Sequence, residues 1–222
     1  MGITLTFELL YQRPDQVVHI YIHSSFVKSE VYDKLIALCH KNHVEYSVND
    51  KIFNILSNKE NCFVIGKFNK YGMKIKCGIN HLVLVNPSNA GNLGTILRSC
   101  LGFGIKNVAI VRPAVDIFDP KVIRASMGAF FGMEIQYFDN ISDYMKLNPG
   151  NSLYPFMLNA SGSLKNVAFV EPYSLIFGNE ATGLPEAFHE IGTSVVIRHS
   201  NAIDSLNLPI AVSIALYEIS EI

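Results

Sequence analysis

Tryptophan is absent from the 222 residues, charged residues make up only 17%, and neither sign dominates, with 18 Lys+Arg against 19 Asp+Glu for a formal net charge of −1. The missing basic excess excludes a protein that coats nucleic acid by bulk charge, because non-specific phosphate binding needs a cationic surface. A local basic patch stays compatible with it. Disorder is excluded by the 49% hydrophobic content, since disordered chains combine low hydrophobicity with high net charge. No apolar run approaches the roughly 18 residues of a membrane span. Cysteine is scarce: Cys39, Cys62, Cys77 and Cys100 form no C-x-x-C pair and follow no leader-like segment, so reduced thiols in a cytoplasmic protein are expected rather than a disulfide frame. The run holding Cys39, His40 and His43 lacks a second Cys/His pair, and no metal is expected there.

What is present is alternation. VVHIYIH, VEYSV and CFVIGKF read as strands, SEVYDKLIALCHKNH as a helix, and the opening ITLTFELL alternates like a strand. From His81 the pattern strengthens, with strand-like HLVLV, NVAIV, EIQYF, PFMLNAS, SLIFGNE and SVVIR and helix-like TILRSCLGFG, PKVIRASMGAFFG and LNLPIAVSIALYEI. Such alternation predicts an α/β fold with a parallel sheet covered on both faces. Between the halves lies FNKYGMKIKCGIN, in which Lys70, Lys74 and Lys76, with Lys67 just before it, occur without an acid. It reads as a hairpin or linker and divides the chain into a small α/β domain, 1–77, and a larger one, 78–222. Charge divides there too: 10 Lys+Arg against 7 Asp+Glu (+3) before the boundary, 8 against 12 (−4) after it.

Ligands of open parallel sheets bind beyond the carboxyl ends of the strands, and three such loops stand out. NPSNAGNLGTILRS, 86–99, is rich in Asn and Gly before a helix; exposed amides at a helix start bind anions, and a plain tight turn explains the glycines equally well. It is neither G-x-G-x-x-G nor a P-loop. FGNEATGLP, 177–185, puts Glu180 between Gly178 and Gly183, a carboxylate that either orients a polar ligand or sits solvated in a turn. RHSNAIDSLNLPIAV places Ser205 and Asn207 before the last helix, where Ser205 serves as an N-cap with Pro209 in the first turn, or presents a hydroxyl to a ligand.

Taken together, the order, spacing and residue types of these loops resemble the three motifs of the SpoU (TrmH-like) branch of the SPOUT RNA methyltransferases. The Asn-rich loop ending in arginine corresponds to Asn92 and Arg98, Gly-x-Glu-x-x-Gly-Leu to Gly178, Glu180, Gly183 and Leu184, and Ser-Leu-Asn to Ser205, Leu206 and Asn207. DPKVIRASMGAFF, 119–131, is similar to a family segment between the first two motifs. The resemblance implies a parallel-sheet domain with a C-terminal trefoil knot, preceded by a small RNA substrate-binding domain, and a homodimer whose interface completes the site. It implies S-adenosylmethionine as cofactor, contacted by Gly178, Asn179, Ile197 and Leu206, and transfer of its methyl group to a ribose 2′-hydroxyl of RNA, ribosomal before transfer RNA. Arg98, Asn92, Glu180, Ser205 and Asn207 would surround that ribose, with Glu180 holding the motif-one arginine or asparagine. An arginine keeps its proton at ordinary pH, so phosphate binding or alkoxide stabilisation suits Arg98 better than the part of a base.

The chain departs from the family where Pro-Met and a nearby glycine are usual: Arg198, His199 and Asn201 stand there. The cofactor loop is therefore open to a different shape, and Arg198 to a substrate contact or a surface ion pair. Two other readings compete: an RNA-binding or assembly protein of the same fold with a degenerate site, and a doubly wound oxidoreductase. Against the second, the glycine spacing is wrong and the first acid after Arg98 is Asp116, where a ribose-binding acid is wanted about 20 residues beyond the glycines of a true fingerprint.

Overall fold

The computed structural model describes residues 2–26, 29–56 and 62–220. It divides into two compact units, Met1–Gly72 with Met127–Gly132, and Met73–Ser126 with Met133–Ile222. The division thus falls a few residues before the expected 77–78, and a short later segment belongs to the first unit.

The first unit runs α1 (Ile3–Gln12), β1 (Val17–Ile22), α2 (Glu30–Lys41), β2 (Tyr46–Val48), α3 (Asp50–Leu56) and β3 (Val64–Phe68). Its sheet has the order β2-β1-β3, with β2 parallel and β3 antiparallel to β1. Leu10, Ile20, Ile22, Leu35, Cys39 and Val64 form its core. Helix α2 starts where Ser29 accepts a hydrogen bond from the Tyr32 amide, and it carries Glu30 and Asp33 in its first turn and His40 and Lys41 in its last, matching the helix dipole. The expected strand at ITLTFELL is instead α1. Ile3, Leu5, Phe7 and Leu9 alternate, but the buried set is Leu5, Thr6, Leu9 and Leu10, two pairs each one turn apart.

The second unit comprises β4 (His81–Val85), α4 (Ala90–Gly102), β5 (Asn107–Val111), α5 (Pro120–Ala125), β6 (Glu134–Phe138), α6 (Ile141–Leu147), β7 (Ser152–Pro155), β8 (Gly162–Ser163), β9 (Tyr173–Phe177), β10 (Val195–Val196) and α7 (Leu208–Ile219). Five strands form an all-parallel sheet, β6-β5-β4-β9-β7, and β8 pairs with β10 beside it. The chain proceeds outward from β4 through β5 to β6 and then returns to the other side of β4. That reversal sets a topological switch point between β4 and β9, where open α/β sheets bind ligands.

Helix α4 crosses α5 at Gly94, where a Cβ would lie 2.4 Å from the Val122 carbonyl oxygen and 2.6 Å from Cβ of Ala125, so this glycine serves helix packing rather than a loop. Helix α5 is shorter than PKVIRASMGAFFG suggests, because Met127 and Gly128 turn the chain with φ of 52° and 94°.

A buried polar chain closes the amino end of the sheet. The imidazole of His81 places Nε2 2.8 Å from the Lys76 carbonyl and Nδ1 2.8 Å from the Tyr144 hydroxyl, which lies 2.5 Å from Ser174 Oγ; Asn151 Nδ2 donates to that oxygen at 3.1 Å. A carbonyl only accepts, so Nε2 carries a proton, and in the neutral ring that burial favours Nδ1 accepts from Tyr144. Burial holds His81 below the usual histidine value, against the opposing pull of the Lys76 carbonyl. Below about pH 6.5 the unfolded chain therefore binds a proton that the folded one refuses, and stability falls as pH falls toward the depressed folded value. Melting temperature should drop between pH 7 and 5 in the native chain and drop less in His81→Gln; equal slopes would contradict a neutral His81.

Candidate active site

Both strands at the switch point end in loops that grip each other. After β4, Asn86 turns at φ 55° and Asn89 caps α4, its Oδ1 accepting from the Asn92 amide at 3.0 Å. After β9, the chain folds back sharply at Gly178. A Cβ there would lie 2.1 Å from the Gly183 carbonyl carbon and 2.4 Å from the Leu184 nitrogen. Reciprocal bonds close this loop, from the Asn179 amide to the Gly183 oxygen at 3.2 Å and from the Gly183 amide to the Asn179 oxygen at 2.9 Å. The Asn179 side chain accepts from the Ala181 amide at 2.9 Å and donates to the Asn86 carbonyl at 2.7 Å.

Glu180 is the clasp between the loops. One carboxylate oxygen accepts from the Ser88 amide (3.1 Å) and hydroxyl (2.9 Å), the other from the Asn89 amide (3.2 Å) and Asn92 Nδ2 (3.3 Å). Partial burial alone would raise its pKa, but the hydrogen bonds from its own backbone, Ser88 and Asn92 outweigh that and hold it below the ordinary carboxylate value. The amides of Ser88 and Asn89, just before α4, are thus taken by a protein carboxylate, and the Asn92 amide by the Asn89 cap. Of the two motif-one residues, Glu180 holds Asn92. Arg98 is exposed, six residues further along α4 and about 9 Å along its axis from Asn92, with no hydrogen-bond or ion-pair partner among the described residues.

Converting Glu180 to Gln places an amide donor against donors at Ser88 or Asn89. We expect a loss of about 1–2 kcal/mol of stability and looser cofactor binding, read by melting and calorimetry. An unchanged melting temperature would show that the clasp contributes nothing. Because the folded pKa is depressed, the native clasp contributes above pH 4.5 and is lost as pH falls through the folded value.

The third segment runs from β10 to α7. Asn207, not Ser205, occupies the cap position of α7, without a side-chain capping bond, and Pro209 lies in the first turn. Ser205 stands two residues before that cap and is exposed. Arg198 is exposed and has no acidic partner among the described residues. His199 is half-buried, its Nδ1 3.0 Å from the Ile197 carbonyl.

The second and third of these segments enclose a cavity of about 210 Å³. Gly178, Asn179, Ile197 and Leu206, the expected cofactor contacts, all line it, together with Glu180 and Ser205. Asn92, Asn207 and Arg98 do not. Phe156 and Met157, just beyond β7, complete the wall, with Phe156 stacked on Phe177 at 4.3 Å between centroids. Neither stood out in the sequence, because PFMLNAS carries no motif. The cavity offers apolar walls, exposed backbone at the 178–183 turn and a few polar groups, and so fits a nucleoside with a short polar tail. Among the described residues no cluster of three or more His, Cys, Asp or Glu side chains could hold a metal, and no helix is long and apolar enough to cross a membrane.

The sequence pattern of the SpoU rRNA Methylase family matches residues 80–217. The chain belongs to the SpoU rRNA Methylase family. Among curated relatives, it is 33% identical over 140 residues to an uncharacterized tRNA/rRNA methyltransferase of Synechocystis, covering 62% of this chain and 51% of the relative. It is 28% identical over 145 residues to a putative tRNA (cytidine(34)-2′-O)-methyltransferase of Listeria monocytogenes, covering 63% and 85%. The chain thus matches only about half the length of the cyanobacterial relative. In fold it is similar to the SpoU methyltransferase AviRb of Streptomyces viridochromogenes in complex with AdoMet, with a TM-score of 0.83 at 20% identity over 98% of this chain and 87% of that one. A likeness also holds to an rRNA methyltransferase from Sinorhizobium meliloti, with a TM-score of 0.81 at 23% identity over 98% and 84%.

Proposed function

We propose that the chain is an S-adenosylmethionine-dependent RNA methyltransferase that modifies a ribose 2′-hydroxyl, of ribosomal RNA before transfer RNA, and works as a homodimer. The observation that carries this reading is the cavity beyond the carboxyl ends of β7 and β9. Two segments far apart in sequence, carrying the second and third family motifs, meet with Phe156 and Met157 round one void lined by the four cofactor-binding candidates; the first motif stays outside its lining and is tied to it through the bond from Asn92 to Glu180.

The cofactor supplies an electrophilic methyl group on a sulfonium when bound. The protein's work is alignment, charge stabilisation and exclusion of water. Gly178, Asn179, Ile197 and Leu206 hold the cofactor, and Glu180 keeps the two loops in register through Ser88, Asn89 and Asn92. Ser205, at the cavity rim, and Asn207 position the ribose. Arg98 binds the neighbouring phosphate or stabilises the developing alkoxide.

A second copy supplies that arginine. Support comes from α7, where Ile210, Ile214 and Tyr217, spaced at one helical turn, are 52%, 38% and 72% exposed, and from Ser213 on the same helix lying 2.8 Å from Ser99, the neighbour of Arg98 on α4. An apolar stripe of this kind is normally covered. The reading carries with it a trefoil knot in the segment from β9 through α7, the segment that provides most of the cavity wall. Residues 1–77, with their +3 charge, bind the RNA substrate, aided by the exposed lysines 67, 70, 74 and 76.

The test is transfer of tritiated methyl from S-adenosylmethionine to total RNA of a strain lacking the protein, followed by size separation. Label in ribosomal RNA is expected. Label in transfer RNA would redirect the substrate, and label in no fraction would overturn the activity and leave a binding or assembly protein.

A further inference from the structure

We propose that His199 recognises the purine of the cofactor by accepting a hydrogen bond from its exocyclic amine. The inference rests on the cofactor reading above and adds a side chain where the family usually carries Pro-Met. His199 lines the cavity, and its Nδ1 lies 3.0 Å from the Ile197 carbonyl oxygen. A carbonyl can only accept, so Nδ1 holds the ring hydrogen, and in the neutral imidazole Nε2 is left as an acceptor. No described residue donates to it. The ring is therefore a fixed tautomer on the cavity wall, anchored to the backbone of Ile197, itself a cofactor-binding candidate.

The surroundings select the ligand group. The cavity that His199 lines has a largely apolar wall, with Phe156, Met157, Val195, Val196 and Ile197 in it. A flat uncharged ring is favoured there, whereas the cofactor's ammonium would pay a desolvation cost. The exocyclic amine is the strong donor of an aminopurine, and an acceptor on the cavity wall discriminates against a purine bearing a carbonyl oxygen at that position, which would set lone pair against lone pair.

The experiment is calorimetric titration of the full chain with S-adenosylhomocysteine and with S-inosylhomocysteine, which replaces the amine by a carbonyl. The native chain should prefer the adenosyl compound by at least about tenfold, or about 1.4 kcal/mol. His199→Phe should lose most of that preference by weakening the adenosyl compound alone. His199→Met, the smaller departure from the family pattern, should do the same and provides the reading if the Phe variant fails to fold. Equal loss for both compounds, or an unchanged preference, would overturn the role of His199. Failure of the native chain to bind either compound would instead remove the cofactor reading itself and the inference with it.

Discussion

Arg98→Ala should lower methyl transfer by about two to three orders of magnitude, the scale seen when a single charge-stabilising donor is removed, while leaving the melting temperature and S-adenosylmethionine affinity unchanged. The separation is expected because Arg98 is exposed, bonds to no described residue and does not line the cavity. An arginine buried in its own chain's site would not behave so cleanly. Arg98→Lys keeps the charge but not the fork and should recover only part of the rate. Turnover within a few-fold of native in Arg98→Ala would remove the residue from the mechanism. A parallel loss of cofactor affinity would place it in the cavity instead. If the arginine comes from a second copy, mixing Arg98→Ala chains with chains damaged only in the cofactor loop should restore one working site per mixed dimer. A mixture as inactive as its components would argue for a site complete within one chain.

The second large effect lies in the cofactor loop. Gly178→Ala inserts a Cβ 2.1 Å from the Gly183 carbonyl carbon and 2.4 Å from the Leu184 nitrogen. Both are backbone atoms, held by the paired Asn179 and Gly183 bonds, so no flexible side chain can yield. The turn must open, and with it the cavity wall and the Glu180 clasp. We expect a stability loss of about 3 kcal/mol and at least a hundredfold loss of cofactor affinity. Gly183→Ala provides the comparison. Its Cβ meets nothing within 4 Å but must adopt φ 67°, which costs about 1–2 kcal/mol, and cofactor affinity should change far less. Similar losses in the two variants would mean that strain at the turn, rather than steric closure at Gly178, governs the loop.

The sheet of the second unit was legible because strands buried on both faces must read as continuous apolar runs; HLVLV and NVAIV are nearly or wholly buried. Helix α1 was not, since Ile3, Leu5, Phe7 and Leu9 satisfy a two-residue period while Leu9 and Leu10 both enter the core, and only tertiary packing decides between the two. Helix α6 went unread, being a seven-residue segment capped by Asn140, too short for periodicity to show. In the site, residue types marked the loops, and spacing could not say which would meet. Ser88 contributes two bonds to Glu180 across 92 residues, and Phe156 and Met157 reach the cavity only because β7 lies beside β9. Ser205 is a reasonable cap by type, yet the cap of α7 falls two residues later at Asn207, a boundary error of the usual size.

The central claim is methyl transfer to a ribose oxygen, and the position of the transferred label tests it most directly. A 2′-O-methyl group removes the nucleophile that attacks the adjacent phosphodiester in alkali, so the modified nucleotide survives hydrolysis within a dinucleotide. RNA labelled by the purified chain from tritiated S-adenosylmethionine should therefore release its label in alkali-stable dinucleotides. Label recovered in mononucleotides would place the methyl group on a base and contradict the account.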